Sequence, residues 1–186
     1  MSRLPLLALV ALSSALVVGC SGPTYPGGEI ACAEQMKIQV LEAKDGDTIV
    51  VEYLDGPRAT GTDDVRLIGL DTPEIDHDGG DDHDCFGLPA WQETIDLLVG
   101  ETAYITFDTE CSDTYGRALG YVFRESDGLF VNLYLVRQGF GRACPFSTST
   151  TFSADFAEAE SGAIEEDLGR WAEPCNGGPE CFEGGQ

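Results

Sequence analysis

Short apolar segments rich in β-branched residues, broken by acidic turns, constrain this chain more than any other feature. Residues 36–41 (Met-Lys-Ile-Gln-Val-Leu) alternate as a half-buried strand does, and 48–53 (Thr-Ile-Val-Val-Glu-Tyr) is dense in β-branched side chains. Between them stands Asp45-Gly46, a hairpin signal, followed by a second acid, Asp47, which a two-residue turn does not need. Asp55-Gly56-Pro57 marks the next turn, and 65–70 reads as a third strand running into Asp71-Thr72-Pro73, where the proline restricts Thr72 to extended backbone. Strand parity puts Arg66 with Ile68 and Leu70, on the face opposite Asp71. The chain must therefore bulge or turn before Asp71 if both residues are to meet one ligand.

Beyond an aperiodic acidic loop at 75–84, the pattern changes to a helical period. Residues 89–99 predict a helix with Trp91, Ile95 and Leu98 as its apolar stripe, proline near its start and Gly100 as its stop. Two further strands are expected at 103–107 and 118–123. A helix is expected over 131–138, closed by Gly139, with Leu133, Leu135 and Val136 inward. A last helix is expected over 154–167, with Ser153 as N-cap and Phe156, Ala159, Ala163 and Leu168 along one side. Gly162 inside it costs about 1 kcal/mol relative to alanine. Five short strands interleaved with one helix and followed by two more predict an α+β domain on a small closed or partly closed barrel.

A length of 186 residues suits one domain, expected over 36–172. Residues 1–19, with Arg3 before an uncharged run too short for a typical membrane span, are built as a secretory signal peptide. The four residues ending at Cys20 resemble a bacterial lipobox, so 20–35 is expected to be a tether lipidated at Cys20; an uncleaved anchor or a plain signal peptide is the alternative. Lipidation leaves six of the seven cysteines, and an even number in an exported chain argues for disulfides. The expected pairs are Cys85 with Cys111, Cys175 with Cys181, and Cys32 with Cys144. No C-x-x-C spacing supports zinc, and both histidines, His77 and His83, lie in the acidic loop, read as a solvated segment or as a second metal site. Residues 173–186 read as a Gly/Cys-rich tail clipped by a disulfide rather than folded.

Chemistry concentrates at 45–74. Asp47 and Asp71 offer carboxylates for a hard divalent cation, Glu74 is placed to deprotonate a water, and Arg66 to neutralise an oxyanion, a set suited to phosphoryl chemistry. Asp113-Thr114-Tyr115-Gly116-Arg117 adds a second arginine and an aromatic beside a glycine. With 33 acids against 10 Lys and Arg the formal charge is −23, and removing Arg3 with the leader takes it to −24. Such a surface repels nucleic acid unless cations intervene, and suits a salty medium, where screening shortens that repulsion.

Taken together, Asp45-Gly46-Asp47-Thr48, the run from Arg66 through Asp71-Thr72-Pro73-Glu74, Tyr115-Gly116-Arg117, Val131-Asn132 and Leu135-Val136-Arg137-Gln138-Gly139 resemble the staphylococcal nuclease (thermonuclease) family. The resemblance covers roughly 36–171. It implies a five-stranded OB-fold barrel with about three helices and a calcium-dependent phosphodiesterase site at its rim. Carried over, Asp47, Asp71 and the Thr72 carbonyl resemble calcium ligands, Glu74 the general base, Arg66 and Arg117 the phosphate clamp, and Tyr115 a phenol on substrate phosphate. Where the family places stacking tyrosines, this chain reads Arg142-Ala143-Cys144-Pro145-Phe146, leaving Phe146 to stack on a base or to pack in a loop. Relatives commonly offer lysines around the groove, whereas this chain has only Lys37 and Lys44.

The resulting expectation is a monomeric, exported or envelope-tethered calcium-dependent nuclease. It would act on DNA, RNA or both at unpaired or frayed positions, held to a membrane through Cys20. The alternatives are a non-cleaving nucleic-acid-binding module and a calcium-binding surface protein.

Overall fold

Alternation of buried and partly exposed side chains carries Met36–Ala43 (β1) into antiparallel pairing with Thr48–Tyr53 (β2). An irregularity between Val40 and Glu42 sets Leu41 outward and bends the strand. This is a computed structural model, describing residues 35–145, 149 and 151–181. The expectations for the leader, for Cys20, Cys32 and Phe146, and for the tether up to residue 34 fall outside those residues. The chain continues through Thr62–Leu67 (β3), Gly69–Asp71 (β4), the helix Gly87–Leu98 (α1), Thr102–Thr106 (β5) and Ala118–Arg124 (β6). It ends with the helix Val131–Arg137 (α2), Arg142–Cys144 (β7) and the helix Ser153–Glu165 (α3).

Five strands close a barrel in the order β1-β2-β3-β6-β5, antiparallel throughout except between β3 and β6, and β4 pairs with β7 in a separate two-stranded sheet. This is the α+β, OB-type barrel with three helices that the sequence predicts. Inward-facing Ile38, Val40, Ile49, Val51, Val65 and Leu67 are fully buried, each contributing roughly 1.5–3 kcal/mol of transfer free energy.

The bulge required before Asp71 exists. The expected third strand stops at Leu67, and Gly69 restarts it as β4 with φ +89°, pressed so close to Phe156 of α3 that no Cβ fits. Asn132 of α2 braces this break. It accepts from Val122 N–H (2.9 Å) and donates to the carbonyls of Ile68 and Gly120 (3.0 Å each).

Other details differ from expectation. In α1 the buried positions are Gly87, Ala90, Thr94, Leu97 and Leu98, with Trp91 and Ile95 half-buried. Polar contacts rotate the stripe: Thr94 Oγ1 donates to Gly46 O (2.7 Å) and Trp91 Nε1 to Ala43 O (2.7 Å), gripping the β1–β2 turn. Ser153 is the first helical residue of α3 rather than its cap, and Leu168 lies past its end.

All three expected disulfide pairings are corrected. Cys85 joins Cys175 and Cys144 joins Cys181, while Cys111 is disulfide-bonded as well. Nearness in sequence misleads because residues 175 and 181 belong to a tail that folds back over β4 and β7, so each meets a cysteine of the body instead of the other. The tail is accordingly packed rather than merely clipped: buried Arg170 donates to the carbonyls of Gly177 (2.7 Å) and Pro179 (2.8 Å). Among the described residues, no helix is long and apolar enough to cross a membrane.

Candidate active site

The β1–β2 turn builds one wall. Asp45 Oδ1 accepts the Asp47 N–H (3.0 Å) and so folds the turn on itself, while Gly46 lies against Thr72 too closely for a side chain. Asp47 is only 1% exposed, and its carboxylate reaches across the site: Oδ2 accepts the Thr72 N–H (3.0 Å) and Oδ1 takes the Thr48 hydroxyl (3.3 Å). Oδ1 also forms an ion pair with Arg66 Nη1.

The break between β3 and β4 supplies the opposite wall. Arg66 is the register partner of Thr48 across β2–β3, and its Nη2 donates to Asp71 Oδ1 (2.7 Å). Arg66 thus lies between the two carboxylates expected to hold a cation. Without the turn at Gly69, the strand period would carry Asp71 to the far face.

The parallel pairing of β3 with β6 brings in the second arginine. Val65 faces Ala118 and Arg66 faces Leu119, so Arg117 enters at the end of β6 beside β3. Its Nε donates to Asp113 Oδ2 (2.6 Å), Nη1 approaches Thr48 Oγ1 (3.5 Å), and the guanidinium lies 5.6 Å from the Tyr115 ring centre. Asp113 Oδ1 also accepts the Tyr115 and Arg117 N–H groups, both at 2.9 Å, which shapes the loop. Tyr115 itself is 68% exposed, open to a ligand arriving from solvent.

Two carboxyls in this site are raised above their ordinary range. For Asp45 the main cause is burial, opposed by Arg66, by hydrogen bonds with Thr48 and by Arg117. For Glu74 it is loss of hydration and then the charge of Asp45, against Arg66, with Asp71 and Asp84 adding to the rise. Burial is thus the leading cause at both carboxyls, and the nearby guanidiniums offset it only in part. A carboxyl raised in the fold favours the folded state below its ordinary pKa and loses that contribution as pH rises through the folded value. Asp45→Asn, which keeps the Oδ1 acceptor, is expected to melt a few degrees higher than the parent at pH 7 in chelator, an advantage vanishing in acid. Equal melting temperatures at pH 7 would contradict this.

Asp47, Asp71 and the Thr72 carbonyl offer only hard oxygen donors, suited to a hard divalent cation. Among the described residues, no three His, Cys, Asp or Glu side chains form a ready-made metal cluster. In the acidic loop, His83 Nδ1 accepts the Asp76 N–H (2.8 Å) and His77 is exposed. Asp45, Thr48 and Asp113 also belong to the site, beyond the residues expected there. Asp113 stands four residues before Arg117, a spacing that signals an ion pair, whereas Asp45 in Asp-Gly signals only a turn.

A family model described as staphylococcal nuclease homologue matches residues 64–173, a span that includes Arg66, Asp71, Glu74 and Arg117. An uncharacterized protein of Bacillus anthracis is 35% identical over 141 residues, covering 75% of this chain and 62% of that protein. A thermonuclease of Staphylococcus intermedius is 31% identical over 128 residues, 68% of this chain and 71% of the thermonuclease. The endonuclease YhcR of Bacillus subtilis is 32% identical over 137 residues, 69% of this chain but 11% of the endonuclease. The chain thus spans less than two thirds of the first and third of these relatives.

Proposed function

The chain belongs to the family of staphylococcal nuclease homologues and carries a nuclease-like domain; on that premise we propose that it is an exported, calcium-dependent phosphodiesterase cleaving DNA, RNA or both. One observation carries the reading: Arg66, Asp47, Thr48 and Arg117 form a connected chain of polar contacts, with Asp71 and Glu74 beside Arg66.

Asp47 and Asp71, with the Thr72 carbonyl, would hold the cation. Calcium bound there would supply positive charge to a phosphate and stabilise charge built on its non-bridging oxygens. Arg66 exchanges a carboxylate partner for a phosphate oxygen, and Arg117 donates to the same group from the other side. A planar fork delivers two parallel hydrogen bonds, so both arginines hold the transition state more strongly than the ground state. Glu74 accepts the proton of the attacking water, and no hydrogen-bond donor among the described residues competes for its carboxylate. Tyr115 contacts substrate phosphate, and Phe146 stacks on a base.

The two described disulfides suit an oxidising compartment. We place a signal peptide at 1–19, a tether lipidated at Cys20 over 20–35, the nuclease domain at 36–172 and the tail at 173–186, in a monomer held at the envelope. Unpaired or frayed nucleic acid is the preferred substrate, because a mature chain with 33 acids against 9 Lys and Arg, a formal charge of −24, disfavours long duplexes.

Cleavage of single-stranded DNA, duplex DNA and RNA, with calcium or chelator and across a range of salt, tests this. Calcium-dependent cutting is expected; no cleavage at any salt would leave a binding module. A second expectation concerns pH. Because the base must be ionised, kcat/KM should fall in acid as Glu74 takes up a proton. Asp45→Asn should move that acid limb downward, and an unmoved limb would separate Glu74 from the proton transfer.

A further inference from the structure

We infer that residues 172–181 are a fastened strap that holds the calcium-binding carboxylates in place, with Arg170 as the positioning residue through which it acts. The inference rests on the reading of Asp47 and Asp71 as cation ligands.

The peptide between Asp71 and Thr72 is the point of action. Its N–H donates to Asp47 Oδ2 (3.0 Å), and its carbonyl accepts from Arg170 Nη1 (3.2 Å). A peptide unit is planar and stiff, so fixing its oxygen fixes the direction of its N–H. Arg170 therefore sets how Asp47 and Asp71 face one another, although it lies behind both.

Arg170 is 1% exposed, and its guanidinium is satisfied by backbone carbonyls: Asp71, Gly177 and Pro179. Burying a cation on neutral partners is costly, and an apolar residue would pack a tail without that cost. The surroundings are built to hold it. Gly139 and Gly169, both at positive φ, bring their backbones so close that neither has room for a Cβ, and the Arg170 N–H donates to Gly139 O (2.8 Å). The Gly177 N–H returns a bond to Arg170 O (2.7 Å).

The disulfides of Cys175 and Cys181 fasten the strap to segments that carry site residues. Cys181 is bonded to Cys144, the register partner of Gly69, and on the same strand Arg142, the register partner of Asp71, donates to Pro179 O (2.9 Å) and Glu180 (2.6 Å). Cys175 is bonded to Cys85, which follows Asp84. Asp84 is tied to Glu74 in both directions, its N–H to Glu74 O (3.0 Å) and its carboxylate to Glu74 N–H (3.2 Å). One strap thus braces the base segment and the ligand segment together.

Calcium titration calorimetry on the full chain, with calcium alone as the probe, tests this. The variants are Cys85→Ser with Cys175→Ser, Cys144→Ser with Cys181→Ser, and Arg170→Lys, which keeps a cation but loses the fork. Each is expected to weaken calcium about 10–100-fold, the range for groups that orient metal ligands, while the barrel's circular dichroism stays parental. Phe123→Leu, in the barrel wall, controls for lost stability: it should lower the melting temperature and leave calcium affinity unchanged. Parental affinity in all three strap variants, or an equal loss in Phe123→Leu, overturns the inference. Asp71→Asn separates the two levels. If the parent binds calcium, Asp71→Asn does not, and the strap variants match the parent, the metal reading stands and the strap fails; if the parent binds none, both fail.

Discussion

Arg117→Lys and Arg66→Lys are each expected to lower kcat/KM on single-stranded DNA by roughly 10²–10³, about 3–4 kcal/mol of transition-state stabilisation. Lysine keeps the charge and can keep one ion pair, to Asp113 or to Asp47, but cannot present two parallel donors to a phosphate. If the lost contact is made only in the transition state, kcat falls as far as kcat/KM. Alanine is the less informative replacement at position 66. It strands Asp47, which is 1% exposed, and removing one partner of a buried pair costs about 3–5 kcal/mol, so lost activity would be mixed with lost fold. Parental rates in either folded lysine variant would sink the proposed clamp.

Asn132→Leu should produce the largest loss of stability. It removes the acceptor for Val122 N–H and the donor to Ile68 O, at about 1–3 kcal/mol for each buried group left unsatisfied, while Gly120 O loses one donor but keeps the Ile68 N–H (3.2 Å). A total of about 2–6 kcal/mol would take much of a typical domain's stability, and urea unfolding should show it as a lower midpoint at unchanged slope. Because Ile68 stands at the break that brings Asp71 into the site, the surviving folded fraction should also bind calcium less tightly. A parental midpoint would contradict the assignment.

Much of the barrel was legible because it is encoded by neighbours. The β-branched runs, their alternation and the Asp-Gly turn fall within a few residues of one another, and local sterics act at that range. Asp47, Arg66, Asp71 and Glu74 were visible for a related reason: they stand at or near the ends of periodic segments, where a charged residue has no packing role; Arg117 took its role from the resemblance to the nuclease family. Parity even demanded the turn that Gly69 provides. The helical stripe of α1 was less legible, since Thr94 and Trp91 orient on carbonyls 48 residues away.

By itself, then, the sequence determined the α+β barrel and its strand order along the chain, because periodicity and turn chemistry are short-range properties, while the site at its rim came from the resemblance to the nuclease family. Only the tertiary structure decided that Arg66 lies between Asp47 and Asp71, that Asp45 and Glu74 are raised, and that Arg170 reaches Asp71 across 99 residues. It alone chose the cysteine partners, 90 and 37 residues apart. Those contacts form where the closed barrel and the returning tail bring distant segments together, and no local pattern records which distant segments will meet.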